Sequence, residues 1–523
     1  MKTAGQRCQH LIRSFFLLCF CACTGTQSDS ARPNILFIMA DDHTAQAWGL
    51  YGGVLEAYAQ TPSIRRLAQE GVVLDRAFCT NSICTPSRAS ILTGQYSHQN
   101  GVYTLSEALD PDSLNVARVL QANGYQTAVI GKWHLKKEPA GFDHYMVLPG
   151  QGRYHDPILK TADNWQDANQ GGQAYQGFSA DVIGDFSIDW LKDRDPTKPF
   201  FLMVHFKATH EPFDYPERYD TLYADVEIPE PASLYDFSPR TNGRSWAGQQ
   251  LWILGQRYEQ ATQRMHSGQK PRYPGLPFSL DGLDSLQARK KTYQKFVKDF
   301  LRSGAAIDDN VGKLLAYLDH AGLVENTVVI YTADQGYFLG EHGMFDKRMI
   351  YEEALRMPYV MRYPPEIPPG SRNDDIILNI DFPSLFADYA GLALQPGFLQ
   401  GRSFRDNVRG HTPPDWRTRM YYRYWLHQTN RPAHFGVRNE RYKLAFFYGQ
   451  PLGKPGAHTR PTTPAWEFYD LEADPHEDRN AYADPAYAEI IRAMKQELRQ
   501  LRQEIGDTDE AEAVMQQILD EYW

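Results

Sequence analysis

The stretch Pro33-Asn34-Ile35-Leu36-Phe37-Ile38-Met39-Ala40-Asp41-Asp42 decides the fold. Its apolar run is unbroken from Ile35 to Ala40, with no polar residue at alternate positions. A strand with one wet face alternates; a strand covered on both faces does not, and such strands belong to parallel sheets packed between helices. Runs of the same kind recur at residues 126–130, 199–206 and 326–331. Helical patterns lie between them: residues 63–69, ended by Gly71; 113–123, stopped by Gly124; 181–191; and 295–320, before Gly322. Strands alternating with helices over most of the chain predict an α/β sandwich around a large, mostly parallel sheet flanked by helices.

The alternation lapses over residues 214–286, where Pro, Gly, Tyr and Gln dominate. This segment reads either as a long functional insertion or as loosely ordered surface. Beyond residue 411 the character changes again. Residues 421–425, 433–438, 442–447 and 467–470 read as short strands of a small antiparallel sheet, followed by a helix over 486–504. The expected organisation is a main domain over 33–410, carrying the 214–286 insertion, and a smaller C-terminal subdomain with a terminal helix over 411–523.

Lys2, Arg7 and Arg13 precede an apolar run at residues 15–22, so residues 1–22 read as an export signal. The run is too short for a bilayer-spanning helix, and no later segment reads as transmembrane. Cys23, after Phe20-Cys21-Ala22 and before Thr24-Gly25, is a lipidation candidate, with simple cleavage as the alternative. The expected location is the periplasm or cell surface, with a lipid on Cys23 as the membrane anchor of a lipoprotein. Of six cysteines, only Cys79 and Cys84 lie beyond the signal region, so no disulfide framework is expected. Cys79 reads as a buried hydrophobe at a strand end. The formal net charge of −10 argues against non-specific nucleic-acid binding, so an anionic substrate needs a locally basic site.

Asp41 and Asp42 stand just past the first buried strand, and Asp334-Gln335 repeat that placement after the strand at 326–331. Neighbouring side chains on a strand point to opposite faces, so Asp41 and Asp42 can face one ion only if the chain turns between them. Ligands in such folds gather at the carboxyl ends of the strands. Asp41, Asp42, Asp334 and Gln335 make an all-oxygen donor set, which favours calcium, with magnesium as the alternative, over zinc. Lys132 and His134, in Gly131-Lys132-Trp133-His134, are two apart and would share a face in extended chain, an ammonium beside an imidazole.

The run Cys84-Thr85-Pro86-Ser87-Arg88-Ala89-Ser90-Ile91-Leu92-Thr93-Gly94 reads as a helix start, with Pro86 in the first turn and Thr85 or Ser87 as cap. A side chain there sits at a positive helix end beside an Arg, which suits anions. This run resembles the signature of the type I sulfatases, through Cys84, Pro86, Ser87, Arg88, Leu92, Thr93 and Gly94. The look of Gly141-Phe142-Asp143-His144 and of residues 340–347 is that of the bacterial polysaccharide and glycosaminoglycan sulfatases. The resemblance extends from Pro33 to about Asn480.

The resemblance implies an alkaline-phosphatase-like sandwich in which residues 33–410 are the catalytic domain. It implies that a maturation enzyme oxidises Cys84 to formylglycine (3-oxoalanine), and that this residue joins Asp41, Asp42, Asp334 and Gln335 around the cation. It assigns Lys132 to sulfate and hydrate binding, His134 to proton transfer at the hydrated aldehyde, and His210 to the ester oxygen and leaving group. Lys347 reaches a sulfate oxygen, Arg88 holds the hydrate or orients the metal cluster, and His342 is left without a defined role. A gem-diol hydroxyl at position 84 attacks sulfur, the sugar leaves, and loss of the second hydroxyl proton expels sulfate. The implied partner is a sulfated carbohydrate, either a glycosaminoglycan bearing N-acetylglucosamine 6-sulfate or an algal polysaccharide such as ulvan. Residues 150–156, including Arg153, Tyr154, His155 and Asp156, read either as sugar contacts or as an ordinary loop. Two alternatives remain open from sequence: a phosphatase or phosphonate hydrolase of the same fold, and a non-catalytic protein that binds sulfated glycans.

Overall fold

The computed structural model describes residues 32–235, 250–393 and 397–523. The expected signal at 1–22 and the candidate Cys23 lie outside these residues, as does the 236–249 part of the insertion. The large sheet contains nine strands: β1 Asn34–Asp41, β2 Val72–Phe78, β3 Gln126–Lys132, β4 His144–Leu148, β5 Phe200–Thr209, β6 Thr327–Ala333, β7 Arg356–Arg362, β8 Ser371–Asn373 and β9 Ile377–Leu378. Their spatial order is β8-β2-β7-β6-β1-β5-β3-β4, with β9 also on β2. Strand β1 is central and parallel to β5 and β6, β3 is parallel to β5 and β4, and β7 pairs antiparallel with both β6 and β2. Only β7 therefore runs against the rest, so the carboxyl ends of β1, β2, β3, β5 and β6 share one edge.

Every residue of β1 is buried, as its unbroken apolar run requires. Alternate side chains go to opposite layers. Ile35, Phe37 and Met39 enter a core built with α3 (Val116–Ala122) and α7 (Phe382–Tyr389), together with the carboxyl half of α2 (Cys84–Thr93). Leu36, Ile38 and Ala40 enter the other core, with α1 (Pro62–Gln69), α4 (Ser179–Asp193) and the long α6 (Ser285–His320). The expected sandwich with a mixed, mostly parallel sheet is the observed one.

Several boundaries differ from expectation for identifiable reasons. Helix α6 begins at Ser285, ten residues before the expected 295, because Asp284 and Gln287 form a reciprocal capping box upstream. Helix α3 begins at Val116, because the Asn115 side chain accepts from Arg118 N and caps it there rather than at 113. The insertion is not loosely ordered where it is described. It contains α5 (Leu251–His266), whose Leu251, Leu254 and Tyr258 pack with Phe296 and Phe300 of α6 and with Phe213 in a separate buried cluster.

The small antiparallel sheet is present as β10 Arg419–Tyr424, β11 His434–Asn439, β12 Tyr442–Phe447 and β13 Ala465–Asp470, in that order. Helices α8 (Ala488–Ile505) and α9 (Ala513–Tyr522) follow it, and α9 was not expected from sequence. The sheet shares its core with the larger one: Val437, Leu444 and Phe446 pack in one cluster with Phe78, Ile83 and Met349. Residues 32–523 form one compact unit, and no helix among the described residues is long and apolar enough to cross a membrane.

Candidate active site

Four strand ends and one helix start deliver the site. Strand β1 ends at Asp41, and Asp42 adopts a left-handed φ of 67°, which is the turn that lets both carboxylates face one point. Strand β6 ends one residue before Asp334, whose Oδ1 accepts from Asp42 N at 3.1 Å. Asp41, Asp42 and Asp334 bring carboxylate oxygens within 4.8 Å of one another, all buried. Asp41, Cys84 and His210 form a second such group, so β5, which ends at Thr209, delivers His210 to the same point.

Cys84 is the first residue of α2, at the positive end of the helix dipole and 1% exposed. The expected caps do not form. The Thr85 hydroxyl donates to His134 O at 3.2 Å and the Ser87 hydroxyl donates to Asp334 O, so both tie the helix to neighbouring loops. Burial, followed by the Asp41 charge, pushes the Cys84 thiol up to about 12. Cys79 is a buried free thiol just past β2, and no disulfide joins it to Cys84.

Cations balance the acids. Lys132 Nζ donates to Asp41 Oδ2 and, at 2.6 Å, to Gln151 Oε1. Lys347 Nζ lies 2.5 Å from Asp42 Oδ2. Arg88 donates to Asp334 Oδ2 at 2.9 Å and to Lys132 O at 2.6 Å. Burial alone would raise the Asp41 carboxyl, but Lys132, His210, Arg88 and Lys347 outweigh it and hold Asp41 well below the usual range. Asp42 and Asp334 go the other way, raised by burial despite Lys347 and Arg88, with Asp334 reaching about 7.

Three packed carboxylates of which two resist ionisation form a set that a divalent cation would relieve. Two buried acceptors, Asp41 Oδ1 and Gln335 Oε1, have no hydrogen-bond donor, and Gln335 Nε2 lies 3.7 Å from Cys84 Sγ. All-oxygen chemistry and orphaned acceptors together fit a hard cation held by Asp41, Asp42, Asp334 and Gln335.

The imidazoles are placed differently from expectation in one case. His134 does not share a strand face with Lys132: β3 ends at Lys132, and His134 sits at a φ of 59° beyond it. The turn still brings its Nδ1 to 3.5 Å from the Thr85 hydroxyl, beside Cys84. His210 Nδ1 faces Glu211 O at 2.8 Å; a carbonyl only accepts, so Nδ1 carries the proton and Nε2 faces the site, 3.9 Å from Asp42 Oδ2. Burial keeps both imidazoles well below the usual histidine range.

The expected sugar contacts are largely used for structure. Tyr154 is buried and its hydroxyl donates to His210 O at 2.5 Å. His155 pairs with Asp214 at 3.3 Å, and Asp156 accepts from Gly177 N at 3.1 Å. Arg153 remains exposed. His342 is buried, with Nδ1 3.6 Å from Asp478 Oδ1, away from the carboxylate cluster. Gln151 lies within the 150–156 stretch, but sequence reading missed its pairing with Lys132, and it missed His205, whose Nδ1 lies 3.1 Å from Lys132 O. His205 was hidden inside a strand; Gln151 carried only the flanking Gly150 and Gly152 as a signal.

A family model described as Sulfatase matches residues 33–392, and one described as N-sulphoglucosamine sulphohydrolase, C-terminal, matches residues 340–504. An N-acetylglucosamine-6-O-sulfatase of Bacteroides thetaiotaomicron is 36% identical over 95% of this chain and 92% of its own. A structure solved in complex with its substrate, D-glucosamine-2-N,6-O-disulfate, matches with a TM-score of 0.81 at 34% identity, covering 92% of this chain and all of the other. A phosphonate monoester hydrolase of Silicibacter pomeroyi shares the fold, with a TM-score of 0.67 at 22% identity over 90% of this chain and 95% of its own. With its family model spanning the whole large sheet and a relative matched almost end to end, the chain belongs to the sulfatase family.

Proposed function

We propose that this sulfatase is exported and removes 6-sulfate groups from N-acetylglucosamine units of glycosaminoglycans, using formylglycine at position 84 and a calcium ion. The observation that carries this reading is the convergence of Cys84 at a helix N-terminus with Asp41 and His210, beside Lys132 and Lys347. The sugar class is supported by the relative that is an N-acetylglucosamine-6-O-sulfatase and by the neighbour solved with a disulfated glucosamine. Export rests on the reading of residues 1–22, and lipid anchoring on Cys23.

Formylglycine would supply a hydrated aldehyde as the nucleophile toward sulfur. Calcium would polarise the sulfate oxygens and favour the ionised hydrate. The chain's own groups do the rest. Lys132 and Lys347 hold ammonium groups on Asp41 and Asp42 and donate to the sulfate oxygens, stabilising their negative charge. His210, with Nδ1–H fixed on its neighbour's carbonyl, presents Nε2 to the ester oxygen and gives a proton to the departing sugar. The anionic ester offsets the burial that otherwise keeps this imidazole neutral. His134, beside Cys84, takes a proton at position 84 when sulfate is released. Arg88 fixes both Asp334 and the Lys132 carbonyl.

The leaving group tests the assignment. A sugar alkoxide needs a proton and a nitrophenolate does not, so His210→Ala should lose ~10²–10⁴ more activity on N-acetylglucosamine 6-sulfate than on nitrophenyl sulfate. Equal losses on both would remove the acid role from His210. Parallel assays on the corresponding phosphate esters should show sulfate strongly preferred; a preference for phosphate would transfer the reading to a phosphatase.

A further inference from the structure

The carboxylate next to the general acid is held entirely from the insertion. Glu211 follows His210, and its carboxylate is 15% exposed. Arg257 of α5 reaches both of its oxygens, at 3.1 and 3.0 Å, Arg272 reaches one at 3.2 Å, and the Tyr273 hydroxyl donates to the same oxygen. All three donors belong to the 214–286 segment, forty-six to sixty-two residues further along the chain than Glu211. The opposite side of the same loop is pinned by the Tyr154 hydroxyl on His210 O. Held at its carbonyl and at the next side chain, the His210 backbone has little freedom.

Arg257 also touches the other loop of the site. Its guanidinium lies 5.3 Å from the ring centroid of Phe345, two residues before Lys347. Gln250, immediately before α5, forms a β-bridge with Met344. The insertion thus bridges the loop that carries His210 and the loop that carries Lys347, the two groups placed on the leaving side and on the sulfate. Arg257 spans both Glu211 oxygens with one nitrogen, Nη1, while its guanidinium lies over the Phe345 ring, and a lysine ammonium does not reproduce that planar stacked contact.

We propose that the insertion is a positioning device for proton transfer: Arg257, with Arg272 and Tyr273, clamps Glu211 and so aims His210 Nε2 at the ester oxygen. Arg257 and Glu211 are positioning residues, since neither touches the reacting atoms. The proposal rests on His210 as the general acid, and the experiment separates the two.

Steady-state rates of Arg257→Ala, Arg257→Lys, His210→Ala and the double variant are measured on N-acetylglucosamine 6-sulfate and on nitrophenyl sulfate, with the thermal midpoint of each as a check on folding. Misplacing a reacting group by about 1 Å costs up to ~10²-fold, so Arg257→Ala should lose ~10–10² in kcat on the sugar sulfate. The same variant should lose little on the aryl sulfate, and Arg257→Lys should recover only part of the loss. In the His210→Ala background, Arg257→Ala should cost nothing further on the sugar. Equal losses on both substrates, or full additivity with His210→Ala, would overturn the clamp. If His210→Ala itself shows no leaving-group dependence, the acid assignment falls instead. Should Arg257→Ala lower the thermal midpoint severely, Tyr273→Phe, which removes one donor without a cavity, replaces it with the same expected selectivity, and unselective loss there also overturns the clamp.

Discussion

Asp334 shows how much one side chain organises. Its carboxylate accepts from Arg88 and from Asp42 N, and its backbone carbonyl accepts from Ser87. Burial raises it to about 7, so a nearby positive charge is needed to keep it ionised at neutral pH. Asp334→Ala removes a proposed cation donor and leaves Arg88 with Asp41, 3.6 Å away, as its remaining acid partner. The expected outcome is loss of bound calcium by elemental analysis, together with loss of turnover that added calcium does not restore. Chelation of the wild type should produce the same inactive state, reversed by calcium or magnesium. A wild type that purifies with stoichiometric zinc, or Asp334→Ala with full calcium, would contradict the ligand set.

Strand β3 places its charged end through a glycine. Gly131 has φ of 112°, and a Cβ added there would lie 2.0 Å from His205 O on β5. Gly131→Ala must therefore open the β3–β5 pairing just where Lys132 leaves the strand. Overpacking of this kind costs about 1–3 kcal/mol, with backbone strain added. Urea unfolding should show that loss, and activity should fall further than stability, because Lys132 moves off Asp41. An active variant of unchanged stability would contradict the tight packing. The same element explains what could be read from sequence. The buried strands were legible because short continuous apolar runs bounded by turn residues suit strands covered on both faces, and Asp41, Asp334 and His210 followed as residues at or just past their ends. The turn at Asp42 was legible only as the condition for Asp41 and Asp42 to face one ion, and that at His134 was not legible, since neither residue is a glycine that would announce a positive φ. Helix α5 was missed because its buried face is made by contacts with α6 and Phe213, distant in sequence. The Glu211 clamp was invisible for the same reason: nothing local links residue 211 to 257, 272 and 273.

Residues 32–523 are one unit in which the small sheet completes the core of the large one, so a titration in the small sheet should be felt in the stability of that unit. His434 on β11 is fully buried, stacked on Phe447 at 4.6 Å, and burial lowers it from 6.5 to about 4. Its folded value is depressed, so the unfolded chain takes up a proton that the native one refuses. The contribution is complete above pH 6.5 and is lost as pH falls from 6.5 toward 4, by up to about 3 kcal/mol. His434→Gln should flatten that part of the stability profile relative to wild type; an unchanged slope would show that His434 is not buried neutral. The charge economy of the site follows the same logic on the opposite sign: a chain of net charge −10 gathers Lys132, Lys347 and Arg88 around its carboxylates at one sheet edge, where Cys84 starts a helix. Burial and the Asp41 charge push the Cys84 thiol up to about 12. The decisive measurement is the rate of sulfate release from N-acetylglucosamine 6-sulfate against the fraction of chains carrying an aldehyde at residue 84, in preparations made with and without a formylglycine-generating enzyme. The rate should rise in proportion to that fraction and vanish in Cys84→Ala, by more than ~10³-fold; equal turnover from chains whose residue 84 is entirely thiol would contradict it.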